Sequence, residues 1–222
     1  MVLKASQSDI PAPRTAGRVA ADVIRHQILT GVLPPGATLN QNRLAEEMDM
    51  SRIPVRDALQ ILAAEGLIVQ RAHSTATVAP LSLSDLEELY ELRLAIEPSL
   101  CRRALQNMRA VNIDRMQVAL EEMDAADGDQ WLAINRRFHA ELYLRADRPR
   151  TVEILDRVRR ATDRYILVHH RVDRITVRKE HELILDAVIA GHERRVEALV
   201  AAHLSDGYEA MIGYLRGMSQ PG

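Results

Sequence analysis

The sequence predicts a mainly α protein in two parts, an N-terminal winged helix-turn-helix and a C-terminal all-α helical bundle. Three observations carry that reading. Apolar residues recur at three- and four-residue spacing through most of the 222 residues. Thr38 to Gly66 contains two short helical patterns joined by a tight turn, with Arg52 and Arg56 opening the second. Only Leu67 to Ala79 carries β-type runs, flanking Ala72-His-Ser-Thr75, as a hairpin wing would.

Residues 1–14 are polar, hold Pro11 and Pro13 and lack periodicity, which predicts a flexible arm. From Val19 the apolar set Val19, Val23, Ile24, Ile28 and Leu29 has helical spacing, and Gly31-Val-Leu-Pro-Pro-Gly36 supplies turn residues that stop the helix. Asn40 is placed to cap a second helix ending near Met48, with Leu44, Ala45 and Met48 facing inward. Ser51 is placed to cap a third. Pro54 falls in its first turn, where backbone N–H groups have no partner within the helix, so the proline starts it rather than breaking it. Val55, Leu59, Leu62 and Ala63 form its apolar stripe, and Gly66 suits a left-handed end.

The first unit is expected over 15–79 and a linker over 80–83. Ser84-Asp-Leu-Glu87 reads as a capping box opening a helical domain over 84–218. Its helices are expected near 84–108, 111–125, 128–146, 150–171, 175–190 and 193–216, with a kink at Pro98.

Composition narrows the function. A hydrophobic content of 47% can fill two cores, so disorder is confined to the ends. Seven aromatic residues are too few for a sheet that stacks single-stranded bases. With 29 basic against 31 acidic residues the net charge is −2, so contact with nucleic acid must come from local placement of charge. No apolar run reaches the ~20 residues that span a bilayer, and the first ten residues lack the apolar stretch of a secretory signal. One cysteine, Cys101, cannot form an internal disulfide and reads as a packing residue. A cytoplasmic protein without membrane partners is expected.

In a helix-turn-helix the second helix presents its N-terminal residues to base edges in the major groove. Arg52 and Arg56 stand there, and each guanidinium can bond guanine O6 and N7 or hold a phosphate. Ser51, with the helix N-terminus, can take a phosphate, and Arg43 on the preceding helix can lie near the backbone. His73 and Ser74 at the wing tip can reach a minor groove. Helices with exposed arginines also occur without DNA, so the spacing of the whole segment matters. Gly31-Val-Leu-Pro-Pro-Gly36, Leu44-Ala-Glu-Glu47, Ser51-Arg-Ile-Pro-Val-Arg-Asp-Ala-Leu59 and Ala64-Glu-Gly-Leu67 closely resemble the DNA-binding domain of GntR-family transcription regulators. The resemblance implies operator contacts from Asn42, Arg52 and Arg56, a wing contact near His73, and a homodimer on a palindromic double-stranded DNA operator, most often as a repressor. Thr75 stands where the family's wing usually has glycine.

In the second half, Asn135 and His139 are four residues apart on one helix face, while Glu180-His181 and His203 fall in two later helices. By spacing alone each histidine reads more readily as a packing residue amid its apolar neighbours than as a ligand. Asp85 to Glu97, Phe138-His139, and His181 followed 22 residues later by His203 resemble the FCD ligand-binding domain of the FadR subfamily. The resemblance implies a divalent metal held by Asn135, His139, His181 and His203, with asparagine in place of the more usual aspartate. Three imidazoles suit zinc or nickel. Arg93 and Glu97 share a stripe with Leu86, Tyr90 and Leu100. They read either as a mutual i, i+4 pair on a solvated edge or, by the resemblance, as residues facing an effector cavity. A guanidinium there matches a small carboxylic acid. The expected function is a transcription regulator controlled by such an acid together with the metal. A regulator that senses the ion itself, one holding a longer acyl ligand without metal, and a metalloenzyme are the alternatives; no carboxylate has an evident general-base relation to the histidines. His169, His170 and His192 are expected at the surface or in packing, with Gly191 ending the helix before His192.

Overall fold

The computed structural model describes residues 15–70, 75–126, 128–170 and 174–218. Helix α1 (Ala16–Leu29) begins at Thr15, whose side chain accepts from the Arg18 backbone N–H. Its buried stripe is Gly17, Ala20, Ala21, Ile24 and Ile28, while Val19 and Val23 of the expected pattern are exposed. Small residues dominate that stripe because α1 lies against the third helix: a Cβ on Gly17 would come 3.0 Å from the Asp57 Cβ.

After a two-residue strand, β1 (Thr38–Leu39), Asn40 caps α2 (Gln41–Glu47) by accepting from the Asn42 and Arg43 N–H groups. The turn that follows passes through Asp49 with φ 50°, a left-handed conformation that aspartate tolerates better than most side chains. Helix α3 (Arg52–Ala64) starts after Ser51, but the serine hydroxyl makes no capping bond, a departure from the expected cap. Val55, Ala58, Leu59 and Leu62 are its buried face; Ala63 is only half-buried. Gly66 ends it with φ +72°, where a side chain would be strained.

β2 (Ile68–Val69) and β3 (Ala76–Val78) pair antiparallel, as a hairpin wing should, and β1 adds to the far side of β3 to give the order β1-β3-β2. The wing tip, with His73 and Ser74, lies outside the described residues.

The helical part opens earlier than the sequence suggests. Ser82 rather than Ser84 caps α4 (Leu83–Ala104), accepting from the Asp85 N–H. One helix continues through Pro98, and a 3-10 turn, Leu105–Asn107, finishes the segment. Then come α5 (Ala110–Ala125), α6 (Gly128–Tyr143) with a 3-10 extension to Ala146, α7 (Pro149–His170), α8 (Arg174–Ile189) and α9 (Glu193–Met218). Helix α4 runs against α9 and α7, α5 against α6 and α8, and α8 against α9. Leu86, Met116, Leu132, Phe138, Leu142, Leu155 and Val200 form the centre of this bundle's core, separate from the Ile24, Leu39, Leu59 and Leu62 core of the first unit. Cys101 is buried on α4, and burial pushes its thiol up, so it packs rather than reacts.

Specific contacts join the two units. Arg164 on α7 donates to the Gly66 carbonyl at the end of α3 and to Asp85 at 2.5 Å. Tyr165 bonds the Ser82 backbone and the Asp85 carboxylate, fixing the start of α4. A Cβ on Gly66 would sit 3.4 Å from Ala161, so the end of α3 rests closely on α7.

Candidate functional site

Two faces of the molecule carry chemistry. On the first, Asn42 and Arg43 on α2 and Ser51, Arg52 and Arg56 around the start of α3 are all exposed. Among the described residues Arg56 has only a 4.0 Å approach to its neighbour Asp57, leaving its guanidinium available to an outside acceptor. Arg43 instead donates to Glu47 at 2.7 Å, one turn along α2, so contact with a phosphate would compete with that pair. Ile53 was not anticipated from sequence. It is 63% exposed on the first turn of α3, an apolar group where a thymine methyl can be read.

The second face is a cavity of about 120 Å³ inside the helical bundle, bordered by Arg93, Asn135, His139, Glu180 and His203. Five helices, α4, α6, α7, α8 and α9, contribute to its lining. The i, i+4 spacing on α6 aims Asn135 and His139 the same way, while His181 on α8 and His203 on α9 close in from the other side. Nε2 of His139 and of His181 lie 3.1 Å apart, and one ligand atom from each of the three histidines falls within 4.8 Å of the others. His139 and His181 are each 1% exposed. Burial, with Arg159 and the other two imidazoles, holds His139 well below the usual histidine range, so its ring is neutral at neutral pH and has a lone pair to give.

Whether these residues fit a divalent ion can be tested on the geometry. Two nitrogens 3.1 Å apart, each about 2.0–2.1 Å from one ion, subtend about 100° at it, between octahedral and tetrahedral values. Asn135 Oδ1 is buried beside them without a hydrogen-bond partner among the described residues, an arrangement that costs about 1–3 kcal/mol if nothing else binds the oxygen. His203 Nδ1 meets Glu180 Oε2 at 2.6 Å; a carboxylate accepts there from Nδ1–H, which turns Nε2 toward the other imidazoles as the atom able to ligate. The donor set fits. This contact adds a partner that the sequence reading did not name: Glu180 is adjacent to His181 but serves His203, 23 residues on.

Arg93 and Glu97 do not lie on a solvated edge. They are 2% and 1% exposed, with Arg93 Nε donating to Glu97 Oε1 at 2.5 Å and Arg159 on α7 donating to Oε2 at 2.7 Å. Burial alone would push the Glu97 carboxyl up, but Arg159 and Arg93 outweigh it and hold the group below the usual range. Arg93 stacks over the Tyr90 ring at 4.8 Å, and its Nη1 is buried without a hydrogen bond among the described residues. Only Arg93 of this triad borders the cavity; Glu97 stands behind it as the group that holds it. His192 is exposed beyond Gly191, whose φ of +67° ends α8 before it.

Among the described residues no helix is long and apolar enough to cross a membrane. The family model described as the FCD domain matches residues 88–206, more than half of the chain, and the model for bacterial regulatory proteins of the gntR family matches residues 16–78. A transcriptional regulator of unknown role from Agrobacterium vitis, from the TAR-I ttuE-ttuC' intergenic region, is 34% identical over 58% of this chain and 80% of its own length. The gluconate operon transcriptional repressor of Bacillus licheniformis is 28% identical over 83% of this chain and 75% of its own. The solved structure of E. coli McbR shares the fold, with a TM-score of 0.76 at 22% identity over 90% of this chain and 99% of that one. The chain belongs to the gntR family of bacterial regulatory proteins, carries an FCD domain behind its helix-turn-helix, and is a DNA-binding transcription regulator rather than an enzyme.

Proposed function

We propose that the protein is an acid-responsive repressor whose FCD cavity holds a divalent metal and a small carboxylic-acid effector. The observation that carries the reading is that Arg93, Asn135, His139 and His203 border one cavity. Asn135, His139, His181 and His203 would hold the ion, zinc or nickel by donor type. When bound, it supplies a Lewis-acidic partner for a carboxylate oxygen. Arg93, aligned by Glu97, supplies the guanidinium that receives the same carboxylate. Residues 15–79 read the operator and residues 84–218 sense the effector, in a cytoplasmic homodimer whose two α3 helices meet two half-sites. That at least one relative is a repressor of an operon named for a sugar acid supports both the repression and the acid.

Arg52 and Arg56 are the base-reading residues in this account, with Asn42, Ser51 and Arg43 toward the backbone. Arg56→Ala is expected to weaken cognate operator binding by about 5- to 150-fold, the equivalent of about 1–3 kcal/mol. Fluorescence anisotropy against cognate and scrambled duplexes measures it, and an unchanged cognate affinity removes Arg56 from recognition.

A route from cavity to operator follows the same helices. Next to Asn135, Arg136 pairs with Asp163 on α7, whose carboxyl burial pushes up to about 6 despite that partner. The following residue, Arg164, binds the Gly66 carbonyl at the end of α3. A ligand that shifts α6 therefore bears on the recognition helix through α7. Arg164→Ala should keep operator affinity while weakening release by the effector. Full release in the variant would rule this route out.

A further inference from the structure

An isoleucine stands among the charged and polar groups that α3 presents to DNA. From its start to Gln60 the exposed positions of this helix are Arg52, Ile53, Arg56, Asp57 and Gln60, and at about 100° per residue they cover one continuous arc. Ile53 lies inside that arc, between Arg56 and Asp57, and is 63% exposed. Asp57 closes the arc on the α1 side, where a Cβ on Gly17 would come 3.0 Å from its own Cβ. A lone exposed isoleucine is ordinary on a protein surface. This one is the second residue of the recognition helix and lies one turn before Arg56, whose guanidinium is available to a base. Its β-branched side chain has one strongly preferred χ1 in a helix, so docking it against a base orders little that is not already ordered.

We infer that Ile53 is a specificity-determining residue that packs on the 5-methyl group of a thymine in each half-site, within about two base steps of the guanine that Arg56 reads. This rests on the reading of Arg56 as a base contact and deepens it. In the major groove the thymine methyl is an apolar feature, whereas the guanine, cytosine and adenine edges present donors and acceptors. Isoleucine has neither to give in return, so over any of those edges it would strip a polar atom of water without a replacement bond. Over thymine it buries one apolar group against another. The separation follows from helix geometry. Side chains three residues apart on one helix face start about 5–6 Å from each other at Cβ, against about 3.4 Å per base step along a strand.

The test uses the full-length protein and the duplex it enriches from a random-sequence pool. Each half-site should hold a guanine whose change to adenine weakens wild type but not Arg56→Ala, with a thymine within about two steps of it. Replacing that thymine by uracil removes only the methyl group. It should weaken wild-type binding about fourfold in one half-site, the equivalent of ~0.8 kcal/mol for one buried carbon group, and about 15-fold in both. Ile53→Ala removes an exposed side chain, so folding is little affected, and in that variant the same replacement should cost less than about twofold. Ile53→Val should keep most of the discrimination. Uracil tolerated by wild type at every such thymine, an equal loss in Ile53→Ala, or half-sites without such a thymine would overturn the inference while leaving Arg56 in recognition. Wild type and Arg56→Ala binding the duplex equally, or no sequence enriched at all, would remove the base reading itself and the inference with it.

Discussion

Replacing Glu97 by alanine should destabilise the protein by about 3–5 kcal/mol, because it leaves the buried guanidinium groups of Arg93 and Arg159 without their shared counter-ion. The figure measures the cost of breaking the triad, not its net worth against an apolar replacement. Equilibrium urea unfolding gives the difference directly, provided the slope is unchanged. The pH dependence has a definite sign. Since the folded Glu97 carboxyl is held below its ordinary value by Arg159 and Arg93, its contribution is complete above the unfolded value of about 4.3 and is lost as pH falls through the lower folded value. The penalty of the alanine variant should therefore be large at pH 7 and shrink as the solution is made strongly acidic. A penalty under about 1 kcal/mol at neutral pH would mean that the triad is not the closed, desolvated unit described here.

The second large effect concerns the ion. His139→Ala removes a neutral, fully buried imidazole whose Nε2 is 3.1 Å from that of His181, and metal affinity should fall by more than about 100-fold. Glu180→Ala leaves every proposed ligand present but takes away the acceptor on His203 Nδ1, so the expected loss is smaller, about 10- to 100-fold. Competition with a chromophoric chelator ranks the three proteins. Equal affinity for wild type and His139→Ala would place the ion elsewhere. Equal affinity for wild type and Glu180→Ala would leave Glu180 a packing contact.

Much of the fold was legible because helices advertise themselves locally. The 3.6-residue period located every helix of the bundle, and Asn40, Pro54 and Gly66 marked ends and starts for stated chemical reasons. Where the reading failed, the information was not local. Strand β1 is two residues long, too short for alternation to show, and exists because β3 offers an edge. Val19 and Val23 have the right spacing for burial, but α1 turns its small residues, Gly17, Ala20 and Ala21, toward α3. Ser82 displaced Ser84 as the cap of α4 because Tyr165, more than eighty residues away, holds the Ser82 backbone in place.

The candidate site divides in the same way. Asn135 and His139 are legible as an i, i+4 pair, and the resemblance to FCD domains added His181 and His203. What the sequence could not reveal was which carboxylate and which cation served them. Arg159 reaches Glu97 across 62 positions, and Glu180 passes over its own neighbour to bond His203 on another helix. Both had one available signal, a charged residue on an otherwise apolar helical stripe, which says that a partner exists without naming it.

The central claim is that the metal and a small carboxylic acid act together in one cavity to release DNA. It is tested most directly by following operator release with increasing concentrations of each of a panel of small carboxylic acids, for zinc-loaded protein and for the same protein after chelation. The account predicts release by the acid from the loaded protein, and a markedly weakened response after chelation with operator binding itself retained. Identical release curves before and after chelation, or operator binding lost on chelation alone, would contradict it.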